Sequence, residues 1–250
     1  MQHIYYAGDY MRTTLSVVLS LGLLSACGGG GDDDPAQQPA VQDAAGFYRL
    51  SSNKVTSATV IYGDGTYYSI YGLGEAIDGF ITGSGVSRNG SFTSTNARDY
   101  YAGGTQSATL SASYEVKRSI SGSVTYTAPA RTVPFSGNYD AIYETRPTLA
   151  SITGSFRGTA ASPQGAEMST VEVNSSGGFA GRGLSGCTFS GTATPKSSGY
   201  GFDVALSFAG APCTYPNQLV RGAALVFNSQ LVVMVSTADR NGALLFVGSR

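Results

Sequence analysis

The chain has no tryptophan, a single histidine and three cysteines, and Lys, Arg, Asp and Glu together make up only 12% of its 250 residues, for a formal net charge of −1. Each shortage excludes something. The histidine, His3, stands ahead of an export-signal pattern, so a chain processed there would keep none. Ser-His-Asp and Cys-His nucleophiles, histidine-ligated zinc and histidine acid-base work at neutral pH are thereby removed. No G-x-S-x-G nucleophile elbow occurs downstream of that signal either. So few cations offer no basic surface for phosphates, which argues against nucleic acid as a partner. Beyond the signal no apolar run approaches the roughly 18 residues a membrane helix needs, and no stretch shows a sustained helical period.

What the chain does have is glycine (34 residues), tyrosine (16) and a 42% hydrophobic content, enough for a core built from short strands and tight turns. "SATVIYGDGTYYSIYG" (57–72) reads as a hairpin, with β-branched and aromatic runs flanking Gly63, Asp64 and Gly65. Turn signals recur at Asn89-Gly90, Ser136-Gly137, Asn228-Ser229 and Asn241-Gly242. The last two segments, "LVVMVSTAD" and "ALLFVGS", are apolar at consecutive positions instead of alternating, which predicts strands covered on both faces and a second unit packed on the first.

From Met11 the sequence runs "MRTTLSVVLSLGLLSAC": a cation, an apolar stretch over 15–24, then small residues. That is the build of a secretory signal, too short to span a membrane. Asp9 is out of place in such a signal, so translation is expected to start at Met11. Leu24, Ser25, Ala26 and Cys27 resemble the lipobox of bacterial lipoproteins. The resemblance implies cleavage before Cys27, lipidation of that cysteine and, with Gly28 next, sorting to the outer membrane of a Gram-negative cell. An ordinary signal cut after Ala26 is the alternative. Residues 28–45 hold little that could be buried and are expected to form a flexible tether of about 20–25 Å r.m.s. length. Asp32, Asp33 and Asp34 within it read as a solvated charge run.

The remainder shows internal similarity. "GFYRLS" (46–51) matches "GSFRGT" (154–159), 57–73 aligns with 168–184, "GFITGSG" (79–85) with "GCTFSGT" (186–192), and "SISGSVTY" (119–126) can be set beside "LVRGAALV" (219–226). The expected organisation is therefore a signal (1–26), a lipidated cysteine and tether (27–45), and two related antiparallel β units, 46–147 and 148–250, each a small barrel or sandwich. In organisation this resembles the duplicated small β-barrel lipoproteins of Gram-negative bacteria. Cys187 and Cys213 are left to pair in an oxidising compartment.

"GRGLSG" (181–186) spells the dinucleotide fingerprint, but an apolar strand pattern follows it where a helix would be needed, so its glycines read as turn or bulge residues. Three acid pairs, Asp140 with Glu144, Glu75 with Asp78, and Glu167 with Glu172, could serve a glycosidase-like hydrolase only if the fold joined them. Eleven tyrosines lie between Tyr48 and Tyr143, and only Tyr200 and Tyr215 follow. Strand alternation in "TYYSIY" sets Tyr67, Ser69 and Tyr71 on one face and Tyr68 with Ile70 on the other. "RDYYAGG" (98–104) reads as a loop with two more rings. If one strand face points outward, Tyr62, Tyr67, Tyr71, Tyr100 and Tyr101 form a recognition surface. Tyrosine's strand propensity alone is the other explanation.

The expectation is a lipid-anchored envelope protein acting without cofactor or metal as a non-enzymatic binding or structural module, its partner a protein or a glycan. A periplasm-facing inhibitor or assembly factor and a carboxylate-dependent hydrolase are the alternatives.

Overall fold

The computed structural model describes residues 42–52, 55–74 and 76–250, so Cys27, most of the tether and Glu75 lie outside the described residues. The described residues form strands, turns and two short 3-10 segments.

The first sheet contains β1 (Gly46–Ser52), β2 (Val55–Ile61), β3 (Thr66–Leu73), β4 (Gly79–Ser84), β5 (Val86–Arg88), β6 (Ser91–Tyr101), β7 (Gly104–Glu115), β8 (Ser119–Thr127) and β9 (Ala130–Asp140). All neighbours are antiparallel, β1 pairs with β9, and β4 pairs with β6, which closes an eight-stranded barrel. β4 and β5 behave as one interrupted strand: β4 pairs with the end of β6 (Thr82 opposite Arg98), β5 with its beginning (Val86 opposite Thr93). At the interruption Asn96 stands in for the ladder, accepting from the Ser84 amide at 2.9 Å and donating to the Ser84 hydroxyl at 2.8 Å. Turn chemistry follows the sequence at Gly65 (φ +82°) and at Asn89-Gly90 (φ +50° and +75°), where positive φ favours Gly and Asn.

The second sheet is a closed barrel of β10 (Gly154–Ser162), β11 (Gly165–Val173), β12 (Gly178–Gly183), β13 (Thr188–Pro195), β14 (Phe202–Phe208), β15 (Leu219–Phe227), β16 (Gln230–Ser236) and β17 (Ala243–Ser249). It is sealed by β10 against β17, with Arg157 opposite Ser249. A disulfide joins Cys187, just ahead of β13, to Cys213 in the connection between β14 and β15. On the chain-entropy model a loop of this length contributes about 3.5 kcal/mol.

The barrels lie side by side. Phe47, Val60, Ile70, Phe80 and Tyr100 from the outside of the first pack against Leu225, Phe227, Val232, Met234 and Leu245 from the outside of the second. This explains the unbroken apolar run of β16: Val233 and Val235 fill the second barrel, while Val232 and Met234 face the first. Arg240 pins the seam, donating to the Thr82 and Asn96 carbonyls at 3.0 and 2.8 Å and offering its own carbonyl to Tyr100 Oη at 2.8 Å.

Three sequence expectations need correction. Ser136-Gly137 is no turn but lies within β9, paired on both sides, and a Cβ at Gly137 would come within 2.6 Å of Leu50 and 2.7 Å of the Arg49 carbonyl. Its glycine serves close strand approach. "RDYYAGG" is not a loop: Arg98–Tyr101 ends β6 and Gly104 begins β7. Finally, "SISGSVTY" is the seventh strand of its ring and "LVRGAALV" the sixth of the other, so that pair does not share a position, whereas the other three matches do.

Candidate functional site

The interiors of the two barrels differ. The second is filled by Phe156, Phe179, Phe189, Leu206, Val233 and Phe246 among others. The first encloses a cavity of about 300 Å³ toward the end where β3, β6, β8 and β9 meet their turns, at the lower end of the range of ligand pockets (about 300–1,000 Å³). An eight-stranded barrel has room for either solution.

Much of the wall is aliphatic or aromatic, from Leu50, Ile81, Leu110, Val124 and Phe135. Set into it is a buried carboxylate, Asp99, only 1% exposed. Tyr71 Oη on β3 donates to its Oδ1 at 2.5 Å and Tyr126 Oη on β8 to its Oδ2 at 2.7 Å. Arg131, half-exposed on β9, stands 4.0 Å from Oδ2 and lies 4.0 Å over the Tyr126 ring. Its guanidinium also donates to Gln106 Oε1 at 3.0 Å. Farther in, Thr59 Oγ1 donates to Ser69 Oγ at 2.8 Å.

A β-bulge is what aims Asp99 inward. On β6, Phe92 and Ser94 face the interior. Strict alternation would continue with residues 96, 98 and 100, placing Arg98 inside and Asp99 outside. Instead the pairing slips between Ser94 (opposite Leu110) and Ala97 (opposite Ala108), two residues of β6 facing one of β7. Beyond the slip Ala97 and Asp99 face in, while Arg98 and Tyr100 turn to the second barrel, Arg98 Nη2 donating to Asn241 Oδ1 at 2.9 Å.

Burial pushes the Asp99 carboxyl above its ordinary range, against the opposing pull of Tyr71, Tyr126 and Arg131. Burial and the neighbouring carboxylate push both phenols far up, so they remain neutral donors. A desolvated carboxylate costs several kcal/mol, and two hydrogen bonds to it return about 1.5–3 kcal/mol each. The site is close to balanced, with no surplus that would make Asp99 a stabilising choice over an apolar residue.

The cavity is open on one side. β1 pairs with β9 only from Ser136 onward, so among the described residues the 130–135 half of β9 is joined to β8 alone. At the opposite end of the barrel, where the chain enters, Ala44 is fully buried in the core. Its carbonyl accepts from Tyr48 Oη at 3.0 Å, and the Gln42 carbonyl from Tyr114 Oη at 2.8 Å. The entering chain stops that end, and the mouth lies at the other.

Of the five tyrosines expected on a surface, Tyr67 and Tyr71 face the barrel interior, Tyr67 wholly buried and bonded to Ser94 Oγ at 3.1 Å. Tyr62 and Tyr100 are buried between the barrels, Tyr62 Oη donating to the Tyr200 carbonyl at 2.9 Å. Tyr101 is half-buried at the tip of β6. The outward face was a wrong expectation because the tyrosine stretch of β3 has none: Tyr67, Ser69 and Tyr71 line the barrel, and Tyr68 and Ile70 meet the second barrel. Only Tyr71 belongs to the cavity. Asp99 and Arg131 went unread in the sequence, since the bulge that orients Asp99 leaves no mark in the alternation of types.

Four of the six paired acids hold local structure. Asp140 meets Arg49 at 2.6 Å and caps the Ile142 amide, Glu144 meets Lys117 at 2.7 Å and accepts from Tyr139 Oη, and Glu167 accepts from the Ser185 amide at 2.7 Å. Asp78 accepts from the Leu73 amide, and Glu75 lies outside the described residues. "GRGLSG" ends β12 and turns into β13, with no helix after it.

Fold and site thus define an all-β protein of two joined eight-stranded barrels, one solid and one hollow. No protein-family model matches the sequence, and no curated protein does. Among solved structures the chain is similar to a candidate outer membrane protein from Bacteroides fragilis NCTC 9343, at 13% identity over 82% of this chain and 95% of that one, with a TM-score of 0.27. It is also similar to two mutants of transferrin binding protein B from Haemophilus parasuis Hp5, at 9% and 8% identity over 78% and 79% of this chain and 65% and 66% of theirs, with TM-scores of 0.29 and 0.26. Superposition at this level leaves the reading of the site to the chain's own residues.

Proposed function

We propose that the protein is a non-enzymatic binding module of the cell envelope, held on the outer membrane by a lipidated Cys27, that takes a small and largely apolar molecule into its first barrel. In this reading 1–26 is the discarded signal, 27–45 the anchor and tether, and 46–147 and 148–250 the two units. The observation that carries it is the hollow interior of the first barrel, open at the end opposite the entering chain. The second barrel, filled and cross-linked, serves as the rigid body against which the first is held.

The test uses Val41–Arg250, which is one compact unit. Calorimetric titration with octan-1-ol should give saturable binding near one per chain, with NMR shifts at Leu110 and Val124, and Val124→Phe should abolish it by filling the space. Absence of saturable binding, or binding indifferent to Val124→Phe, overturns the cavity reading. The anchor is tested separately: Cys27→Ala should leave the precursor without incorporated palmitate, and a mutant that still matures to a lipidated form would refute it.

A further inference from the structure

We propose that the ligand of the first barrel is a cationic amine: an apolar body carrying one ammonium group that donates to the carboxylate of Asp99. This rests on the cavity reading and deepens it by naming the charge of the occupant.

Asp99 is buried in the cavity wall, and its two inner partners, Tyr71 and Tyr126, are neutral phenols that donate hydrogen bonds without cancelling charge. Among the described residues the one cation nearby, Arg131, is half-exposed, stands 4.0 Å from the nearer oxygen, and is shared with Gln106 and the Tyr126 ring. Water at the mouth screens that pair. An ionised carboxylate offers about four acceptor sites, and the phenols occupy one on each oxygen. Acceptor capacity therefore remains on a group that lines the cavity. An ammonium ion fits it with a short, charge-assisted bond. A carboxylate ligand that reached Arg131 from within would sit beside Asp99 and be repelled. A neutral alcohol gains the apolar contacts alone.

Apolar residues around a carboxylate also set the pH dependence. The groups facing Asp99 are Tyr71 from β3, Tyr126 from β8 and Arg131 from β9, with Tyr101 two residues along β6. Burial holds the two phenols neutral, so the carboxyl is the group that titrates. Its pKa is raised by burial, so amine affinity should fall as the pH drops through a value above the ordinary carboxylate range.

The experiment titrates Val41–Arg250 with octylamine, octan-1-ol and octanoate, matched in chain length. At neutral pH octylamine should bind at least tenfold more tightly than octan-1-ol, and octanoate most weakly. Asp99→Asn should remove the amine's advantage over octan-1-ol. Should that variant fail to fold, Arg131→Gln keeps the proposal exposed: removing the competing cation at the half-exposed mouth should widen octylamine's advantage over the alcohol several-fold. Equal binding of amine and alcohol, or octanoate binding tightest, overturns the amine assignment and spares the cavity. No binding by any of the three overturns the cavity itself.

Discussion

The two barrels share a strand count, an antiparallel meander and a closing pair, yet one is solid and the other hollow. The difference lies in which aromatic fills the middle. In the second barrel the inward residues are mostly phenylalanine, valine and leucine, which need no partners and can close on one another. In the first they include Tyr48, Tyr67, Tyr71, Tyr114 and Tyr126. Each buried hydroxyl requires an acceptor, and the acceptors are Ala44, Ser94, Asp99 and Gln42. A ring tied by its hydroxyl to the wall cannot also collapse on the axis. The tyrosine-rich first half of the sequence thus reports an interior held open.

The sharpest way to break this comparison is to move the face of β6. One alanine inserted between Ala97 and Arg98 would carry Arg98 into the barrel and turn Asp99 toward Leu245 and its neighbours. Two displaced charges at several kcal/mol each exceed the stability of an ordinary domain's margin, more than about 5 kcal/mol in all. The first barrel's amide resonances should disperse no longer. Deleting Asn96 is also a one-residue change, but it regularises the ladder with Asp99 still inward. It forfeits the Ser84 bonds and the carbonyl that Arg240 uses, about 2–3 kcal/mol at roughly 1 kcal/mol each. If insertion and deletion prove equally costly in urea unfolding, the bulge does not orient Asp99.

A matched pair of truncations measures the solidity of each interior. Leu206, fully buried, points into the second barrel, and Leu110, nearly so, borders the cavity of the first. Leu206→Ala should cost about 4 kcal/mol, because the solid core cannot close on the void, and Leu110→Ala about 2 kcal/mol, because that side chain already lacks neighbours on one side. Urea midpoints at constant m-value decide it, and the reverse order would mean that the cavity is closed in solution. Replacing Cys187 and Cys213 together by alanine should cost about 3.5 kcal/mol. The loss should fall on the second barrel and leave octan-1-ol binding to the first intact.

Much of the fold could be read from residue types, and the site could not. The hairpin at Gly63–Gly65 and the twofold cover of β16 follow from local chemistry: a residue tolerant of positive φ, and an apolar run without alternation. The faces of β3 were correctly separated by alternation, but alternation is silent on what lies beyond each face, and both turned out to be covered. The alignment of "SISGSVTY" with "LVRGAALV" failed instructively. Gly122 and Gly222 each lie where a Cβ would strike a neighbouring strand's carbonyl, at 2.1 and 1.9 Å. The glycines mark close strand approach, a requirement that recurs at different positions in the two rings and so carries no order. Asp99 was unreadable for a third reason: a bulge changes parity through hydrogen bonding across strands, and parity is the one thing a pattern of types assumes.

The smallest expected effect concerns the acids at the closed end of the first barrel, which separates holding structure from doing chemistry. Asp140 is held below the usual carboxylate range by the Ile142 amide and Arg49, and Glu144 by Lys117 and Tyr139. A carboxyl with a depressed folded pKa lends stability that is present above its unfolded pKa and is lost as the pH falls through the folded one. Both sites are partly exposed, and water discounts such pairs to about 1 kcal/mol or less. Asp140→Asn and Glu144→Gln should therefore each lower the urea midpoint slightly at pH 7. The difference from the parent chain should shrink toward zero as the pH drops below the carboxylate range. Neither should change octan-1-ol binding, because both lie at the end where the chain enters, away from the mouth. A change in binding from either would mean that the closed end and the open end of the barrel are coupled, and the separation drawn between them would not stand.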